Sequence, residues 1–229
     1  MARWTRLVRF IAREDGREHY GQPVDQDLDV GIAVYEGKDV ITHEVTGDRL
    51  LFDGEVDPSS KLTIDRLLSP VPAIPGSIRC LGVNFRKHVE EAGQKMPIEP
   101  VVFMKPHTSL AGPGEVLVPK FVHKAESFDG KTRQLDYETE LAFVVSSDAK
   151  NISPEQAYDY VLGPVLVSPS VIIDPSDIAF VGKLNGEVRQ QDSTKDWIFS
   201  ITDALSFLSQ GTTVPAGTVV LMGTPSGIG

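Results

Sequence analysis

Asp136-Tyr137-Glu138-Thr139-Glu140-Leu141-Ala142-Phe143-Val144-Val145 opens with three carboxylates in five residues and closes as an apolar, β-branched run. Side chains at i and i+2 share a face of a strand, so Glu138 and Glu140 point with Ala142 and Val144. Tyr137, Thr139, Leu141, Phe143 and Val145 point the other way. Both faces are apolar from Leu141 onward, so the run predicts a strand buried on both sides with its acids at the mouth. Like charges about 7 Å apart in a poorly solvated place repel, and one of them tends to take up a proton. A hard divalent cation such as Mg²⁺ relieves that conflict and keeps water in positions a substrate can displace. The competing reading is a solvated strand end.

Outward from this run, strands dominate. Residues 6–12 ("RLVRFIA"), 29–37 ("DVGIAVYEG") and 39–45 ("DVITHEV") read as strands, with "YEGKD" as a hairpin-like turn. Residues 59–69 ("SSKLTIDRLLS") read as a helical piece with Ser60 as N-cap. Residues 69–77 ("SPVPAIPGS") combine proline and glycine in a linker signature, which places a domain boundary there. The division is 1–70, a small N-terminal β-domain; 71–77, a Pro-rich linker; and 78–229, the main core. Within the core, "IRCLGVNF", "PVVFMKP" and "GTVVLMG" read as strands and "RKHVEEAG" as a short helix closed by Gly93. "HTSLAGPGEVLVP" reads as a loop running into a short strand, and "FVHKAESFDGKTRQ" as an exposed polar stretch. Ser153, Pro154 and Gln156 form a capping box, and Ser200 and Asp203 repeat the pattern before a helix ended by Gly211. No βαβ alternation occurs, so a mostly β (α+β) core of mixed strands is expected.

The chain has 229 residues, 41% hydrophobic, and a net charge of −10. That charge argues against nucleic acid or an anionic membrane as partner, but not against a small anionic substrate. Cys80 is the single cysteine, so no internal disulfide forms and a reducing compartment fits. Its neighbours in "SIRCLGVNF" make it a small buried apolar residue. No apolar run is long enough to span a membrane. The Arg-rich start leaves cytoplasm and mitochondrial matrix as the expected compartments.

His88 and Glu91 stand at i and i+3, on one helical face. A carboxylate beside an imidazole orients the ring and suits it to acid–base work, although such a pair is often a surface contact. Lys105 ends a strand, where it can neutralise a substrate carboxylate or simply meet solvent. "GTPSGIG" (223–229) lacks the Lys-Ser/Thr pair of a phosphate loop.

Taken together, "CLGVNFRKHVEEAG", "PVVFMKPHTSLAGPGEVLVP", "LDYETELAFVV", "ISPEQAYDYVLG", "LNGEVRQ" and "AGTVVLMGTPSGIG" resemble the fumarylacetoacetate hydrolase superfamily. The resemblance implies an FAH-type rolled mixed β-core with a small N-terminal β-domain, and a homodimer. It implies Glu138 and Glu140 as ligands of Mg²⁺ (or Mn²⁺ or Ca²⁺), His88 and Glu91 as the catalytic dyad, and Lys105 and Thr224 as substrate-binding residues. Phe85 stands where many members carry Tyr. The substrate implied is a small 2-oxo acid, with oxaloacetate enol–keto tautomerisation as the first expectation. C–C hydrolysis of an acylpyruvate or fumarylacetoacetate, oxaloacetate decarboxylation, and a non-catalytic dimeric binding protein are the alternatives.

One departure concerns the third metal ligand. The family places an Asp soon after the equivalent of "YVLG", followed by further polar residues. Here Gly163 runs straight into "PVLVSPSV", so a stretch of the pattern is missing, and further strands of the pattern are missing after Gly229. Asp159 lies inside a helical segment and does not replace it. Two expectations follow: a mobile stretch at this point that acts as a lid, or a true deletion that leaves the metal site short of a ligand.

Overall fold

A computed structural model describes residues 4–48, 53–72, 77–120, 122, 135–164 and 175–228. Four strands, β1 (Val8–Ala12), β2 (Glu18–Pro23), β3 (Ile41–Thr46) and β4 (Glu55–Leu67), close into a small antiparallel barrel. Phe10, Ala12, Val40 and Ile64 fill it, together with Val30 and Ala33 of helix α1 (Val30–Tyr35).

Two expectations fail in this region. Residues 29–37 form α1 rather than a strand, because Asp29 caps the segment by accepting from the Ile32 N–H at 2.9 Å. The expected "YEGKD" turn is instead the end of α1, with Gly37 at φ +73°. Residues 59–69 supply much of β4 rather than a helix. Ser60 caps nothing: its hydroxyl donates to Asp57 O at 2.8 Å and accepts from the Glu44 N–H at 2.6 Å. Pairing with β1 and β3, which local propensity does not see, decides this segment.

The second body is a mixed five-stranded sheet in the order β6-β5-β11-β7-β8. Its strands are β5 (Ser77–Gly82), β6 (Val101–Pro106), β7 (Ala142–Val145), β8 (Val161–Pro164) and β11 (Val219–Leu221). The central pair β5 and β11 is parallel, and every other pair is antiparallel. One face packs on Phe85, Trp197 and helix α3 (Ile201–Leu208). The capping box at Ser200 and Asp203 starts α3 as expected, whereas Ser153–Gln156 opens only a 3-10 helix, Pro154–Tyr160. The other face meets the barrel: Trp4, Leu7, Tyr20 and Val45 share a core with Ile78, Cys80, Val144 and Val219. A separate hairpin, β9 (Ala179–Leu184) and β10 (Glu187–Ser193), completes the described strands.

The architecture is mostly β, as expected. Ser69, before the expected linker, and Val71, its first residue, are both buried, and 73–76 lie outside the described residues. So do most of the expected polar stretch after Phe121 and residues 165–174, beside the junction at Gly163. No strand forms in 110–119, where a short one was expected. Among the described residues no helix is long and apolar enough to cross a membrane.

On β2 the partly buried His19 bridges two carboxylates, with Nδ1 2.8 Å from Glu44 and Nε2 3.1 Å from Asp15. Burial pulls its pKa down, but the two contacts outweigh this and raise it above the ordinary 6.5. A raised imidazole stabilises the fold below its unfolded pKa and loses that contribution as pH rises through the folded value. Melting temperature is therefore expected to fall across and above neutral pH, and His19→Gln to flatten that slope. Thermal melts at stepped pH check this, and an unchanged slope in the variant would sink it.

Candidate active site

The acids do not sit in the strand itself. β7 begins at Ala142, and residues 135–141 approach it as an extended limb. Side-chain alternation is nonetheless kept: Leu141, Phe143 and Val145 pack into the α3-side core, and Ala142 and Val144 into the barrel side. The limb is held by the turn that follows β11. The Met222 N–H donates to Leu141 O at 3.0 Å, and the Gly223 N–H donates to Glu140 Oε2 at 2.6 Å.

Burial pushes the Glu140 carboxyl up to about 7, against the pull of the Gly223 N–H; the Glu138 charge pushes it the same way and Lys105 pulls it back. Glu138 is exposed. Lys105, on the edge strand β6, lies 5.8 Å from the centre of the Phe103 ring. Cys80 feels the charges of Lys105, Glu140 and Glu138 as well, but burial dominates and pushes its thiol up to about 11, where it is inert. The carboxylate pair and Lys105 thus form one electrostatic cluster on the barrel side of the sheet.

Helix α2 (Arg86–Glu91) follows β5 directly. Its first turn has no side-chain cap of its own. Asp196 supplies one from outside, accepting from the Lys87 N–H at 3.0 Å, and Arg86 donates to Trp197 O. His88 is buried, and its Nδ1 lies 3.2 Å from Glu91 Oε2, leaving Nε2 as the ring atom able to exchange a proton. Glu91 is fixed in turn by the Gly227 N–H, 3.1 Å from Oε1 and 3.2 Å from Oε2. The Tyr137 hydroxyl donates to Gly227 O at 3.2 Å. One glycine-rich turn therefore holds both halves of the expected site, Glu140 at Gly223 and Glu91 at Gly227.

The Thr224 hydroxyl is committed within the protein. It accepts from Gln190 Nε2 at 2.7 Å and donates to Thr139 O at 3.2 Å, so its one proton is used inside the protein and a second lone pair remains. Phe85, where many members of the resembled family carry Tyr, is fully buried against Phe180 and Trp197 and offers the site no hydroxyl. Asp159 is exposed in the 3-10 helix, away from the acids of the limb.

Three residues escaped the sequence reading. Asn84 is fully buried and donates to Met222 O (2.9 Å) and Phe199 O (3.1 Å) while accepting from the Phe199 N–H (2.9 Å). Val83 beside it has φ +47°, a backbone state that β-branched residues avoid. Gln190 is the third. A polar residue between apolar neighbours was the available signal for Asn84 in "LGVNF".

As metal donors, Glu138 and Glu140 are hard oxygens whose mutual repulsion a divalent cation would relieve. Among the described residues no group of three or more His, Cys, Asp and Glu is placed to hold a metal ion. The pair fits a cation such as Mg²⁺, which accepts one or two protein carboxylates and fills its other positions with water and substrate. A cavity of about 380 Å³ lined by Tyr158, Lys195, Trp197 and Ile201 contains none of the residues expected at the site.

The family model described as "Fumarylacetoacetate (FAA) hydrolase C-terminal" matches residues 77–163 and 160–229, two runs that meet beside Gly163. The caffeoylpyruvate hydrolase of Neonothopanus nambi is 36% identical over 99% of this chain and 83% of its own length. The oxaloacetate tautomerase YisK of Bacillus subtilis is 34% identical over 72% of this chain and 63% of its own. The solved fumarylacetoacetate hydrolase of Exiguobacterium antarcticum superposes with a TM-score of 0.72 at 26% identity, covering 98% of this chain and 88% of that one.

Gly227 is strained twice over for any other residue: its φ is +97°, and a Cβ there would lie 2.2 Å from Arg189 O. Gly16, at φ +69°, faces open space. Gly16→Ala is expected to cost about 1 kcal/mol from backbone strain alone, and Gly227→Ala more than about 2 kcal/mol because the clash adds to it. Urea denaturation of both variants checks the difference; equal costs would show that the turn yields freely.

Proposed function

The chain belongs to the fumarylacetoacetate hydrolase family, and on that premise we propose a divalent-metal-dependent enzyme working through the enolate of a small 2-oxo diacid. Its first reaction is the enol–keto tautomerisation of oxaloacetate. The observation that carries this reading is the single turn that holds Glu140 by the Gly223 N–H and Glu91, with its partner His88, by the Gly227 N–H. The same turn thus engages one of the proposed charge-binding carboxylates and the partner of the proposed proton-transfer group.

Glu138 and Glu140 would hold the cation, which when bound supplies a Lewis acid for the 2-oxo group and its enolate. Lys105 attracts the substrate carboxylate from the same face of the sheet. His88 exchanges a proton with the substrate carbon through Nε2, while Glu91 fixes the tautomer by engaging Nδ1 and steadies the imidazolium. The buried position of His88 limits loss of that proton to bulk water.

A second reading, C–C hydrolysis of an acylpyruvate, is favoured by one observation. The relative named caffeoylpyruvate hydrolase aligns along 99% of this chain, barrel included, whereas the tautomerase aligns along 72%. In that reaction His88 would take the proton of an attacking water instead.

With Mg²⁺ present, the enol absorbance of oxaloacetate is expected to decay faster with enzyme than without. His88→Ala is expected to slow that decay by at least ~100-fold, and Glu138→Ala/Glu140→Ala to abolish the acceleration. Pyruvate release from an acylpyruvate without enol acceleration would instead select the hydrolase. Neither activity would sink both readings.

The proposal includes a homodimer. β6 is an edge strand with Val101, Phe103 and Met104 exposed, an apolar edge that a second copy would cover. Light scattering after size exclusion is expected to give twice the chain mass, and Phe103→Lys to shift it toward the monomer; a monomeric wild type would overturn this part.

A further inference from the structure

Gln190 is fully buried on β10, between the limb bearing Glu138 and Glu140 and the turn bearing Gly223 and Gly227. Its Oε1 accepts from the Thr139 N–H at 2.9 Å. Its Nε2 donates to Thr224 Oγ1 at 2.7 Å and to Pro225 O at 2.8 Å. The Thr224 hydroxyl closes a ring by donating to Thr139 O at 3.2 Å. These partners admit one amide orientation: an N–H needs the oxygen, and a carbonyl needs the nitrogen.

The hairpin is shaped to deliver this side chain. The β9–β10 register slips between Val188 and Gln190, and Gln190 then stands opposite Gly182. A Cβ at Gly182 would lie 2.2 Å from Thr139 Oγ1, so the limb packs where β9 has no side chain. The next residue back, Arg189, presents its carbonyl to Gly227 at a distance that only glycine tolerates. The hairpin therefore contacts the limb and the turn at separate points, and the Gln190 side chain bonds to both.

We propose that Gln190 is a positioning residue of the candidate site. It fixes the spacing between the Glu138–Glu140 pair and the His88–Glu91 pair without touching the substrate itself. A buried amide holding two segments at once acts on geometry rather than charge, and removing it leaves the Thr139 N–H and Pro225 O without their partner. The proposal rests on the proposed function for its catalytic consequence only.

The test uses the full chain with Gln190→Leu and Gln190→Glu. Hydrogen exchange followed by mass spectrometry is expected to show at least ~10-fold faster exchange than wild type in peptides covering 137–141 and 222–228 of the Leu variant, with β1–β4 unchanged. An ionised Glu at this position keeps the contact with the Thr139 N–H but sets an oxygen against Pro225 O. Protonation restores one donor, and burial raises the pKa at which that happens. The Gln190→Glu variant is thus expected to approach wild-type exchange, compared at matched pH, as pH is lowered. Its oxaloacetate kcat, taken as a ratio to wild type at the same pH, should recover in parallel, with KM little changed. Wild-type exchange in both segments of the Leu variant would overturn the proposal, and so would faster exchange throughout the barrel, or no pH-dependent recovery in the Glu variant. If exchange behaves as expected while wild type lacks both proposed activities, the positioning role stands and the proposed function fails.

Discussion

The candidate site depends on backbone amides of one turn. After β11 leaves the centre of the sheet, the Gly223 N–H holds Glu140 and the Gly227 N–H holds Glu91. These carboxylates come from segments far apart in the chain, one before β7 and one on α2. Main-chain donors suit the task because they cannot rotate away as side chains can, and they bring no charge that would quench a carboxylate pair. The glycines are required by geometry: Gly223 has φ +86° and little room for a Cβ beside Asn84, and Gly227 passes the Arg189 carbonyl. One turn of an otherwise ordinary sheet thereby holds two carboxylates from distant segments, one of them the partner of His88.

Much of this was legible where the signal is local. Alternation of apolar residues located β1, β3, β5 and β6, and the Ser200–Asp203 box located α3. The i, i+3 spacing of His88 and Glu91 was enough to predict that they meet, since helical geometry fixes it. The misreadings share a cause. The apolar run of α1 is six residues long, too short for period to separate helix from strand, and only Asp29 marks its start. The second half of β4 is paired by β1, which lies well before it in the chain and outside any local window.

Less of the site was legible, and for the same physical reason. Thr224 was marked for the substrate, and what the sequence did not show is that its hydroxyl bonds to Gln190 and Thr139. Gln190 carries no charge and sits in the polar sequence "GEVRQQDS", so nothing nearby sets it apart. Its role exists only once the hairpin has been placed against two other segments. Asn84 is similar, bonded at once to the end of β11 and to Phe199. Uncharged amides that join distant segments leave almost no trace in sequence, whereas ionisable groups at helical or strand spacing do.

The place of β11 carries a kinetic consequence. It is the central strand of the five-stranded sheet, parallel to β5 and antiparallel to β7, yet it comes after every other described strand in the chain. The Asn84–Met222 bond that anchors its end joins residues 138 apart in the chain. During synthesis β5 and β7 must wait with open edges until Val219–Leu221 has been made. Such late, long-range closure predicts slow folding and a window in which those edges are exposed to other chains. Chaperone dependence would then be set by the order in which the strands emerge, and a nascent chain lacking its last tens of residues would lack the Gly223 and Gly227 amides that hold Glu140 and Glu91.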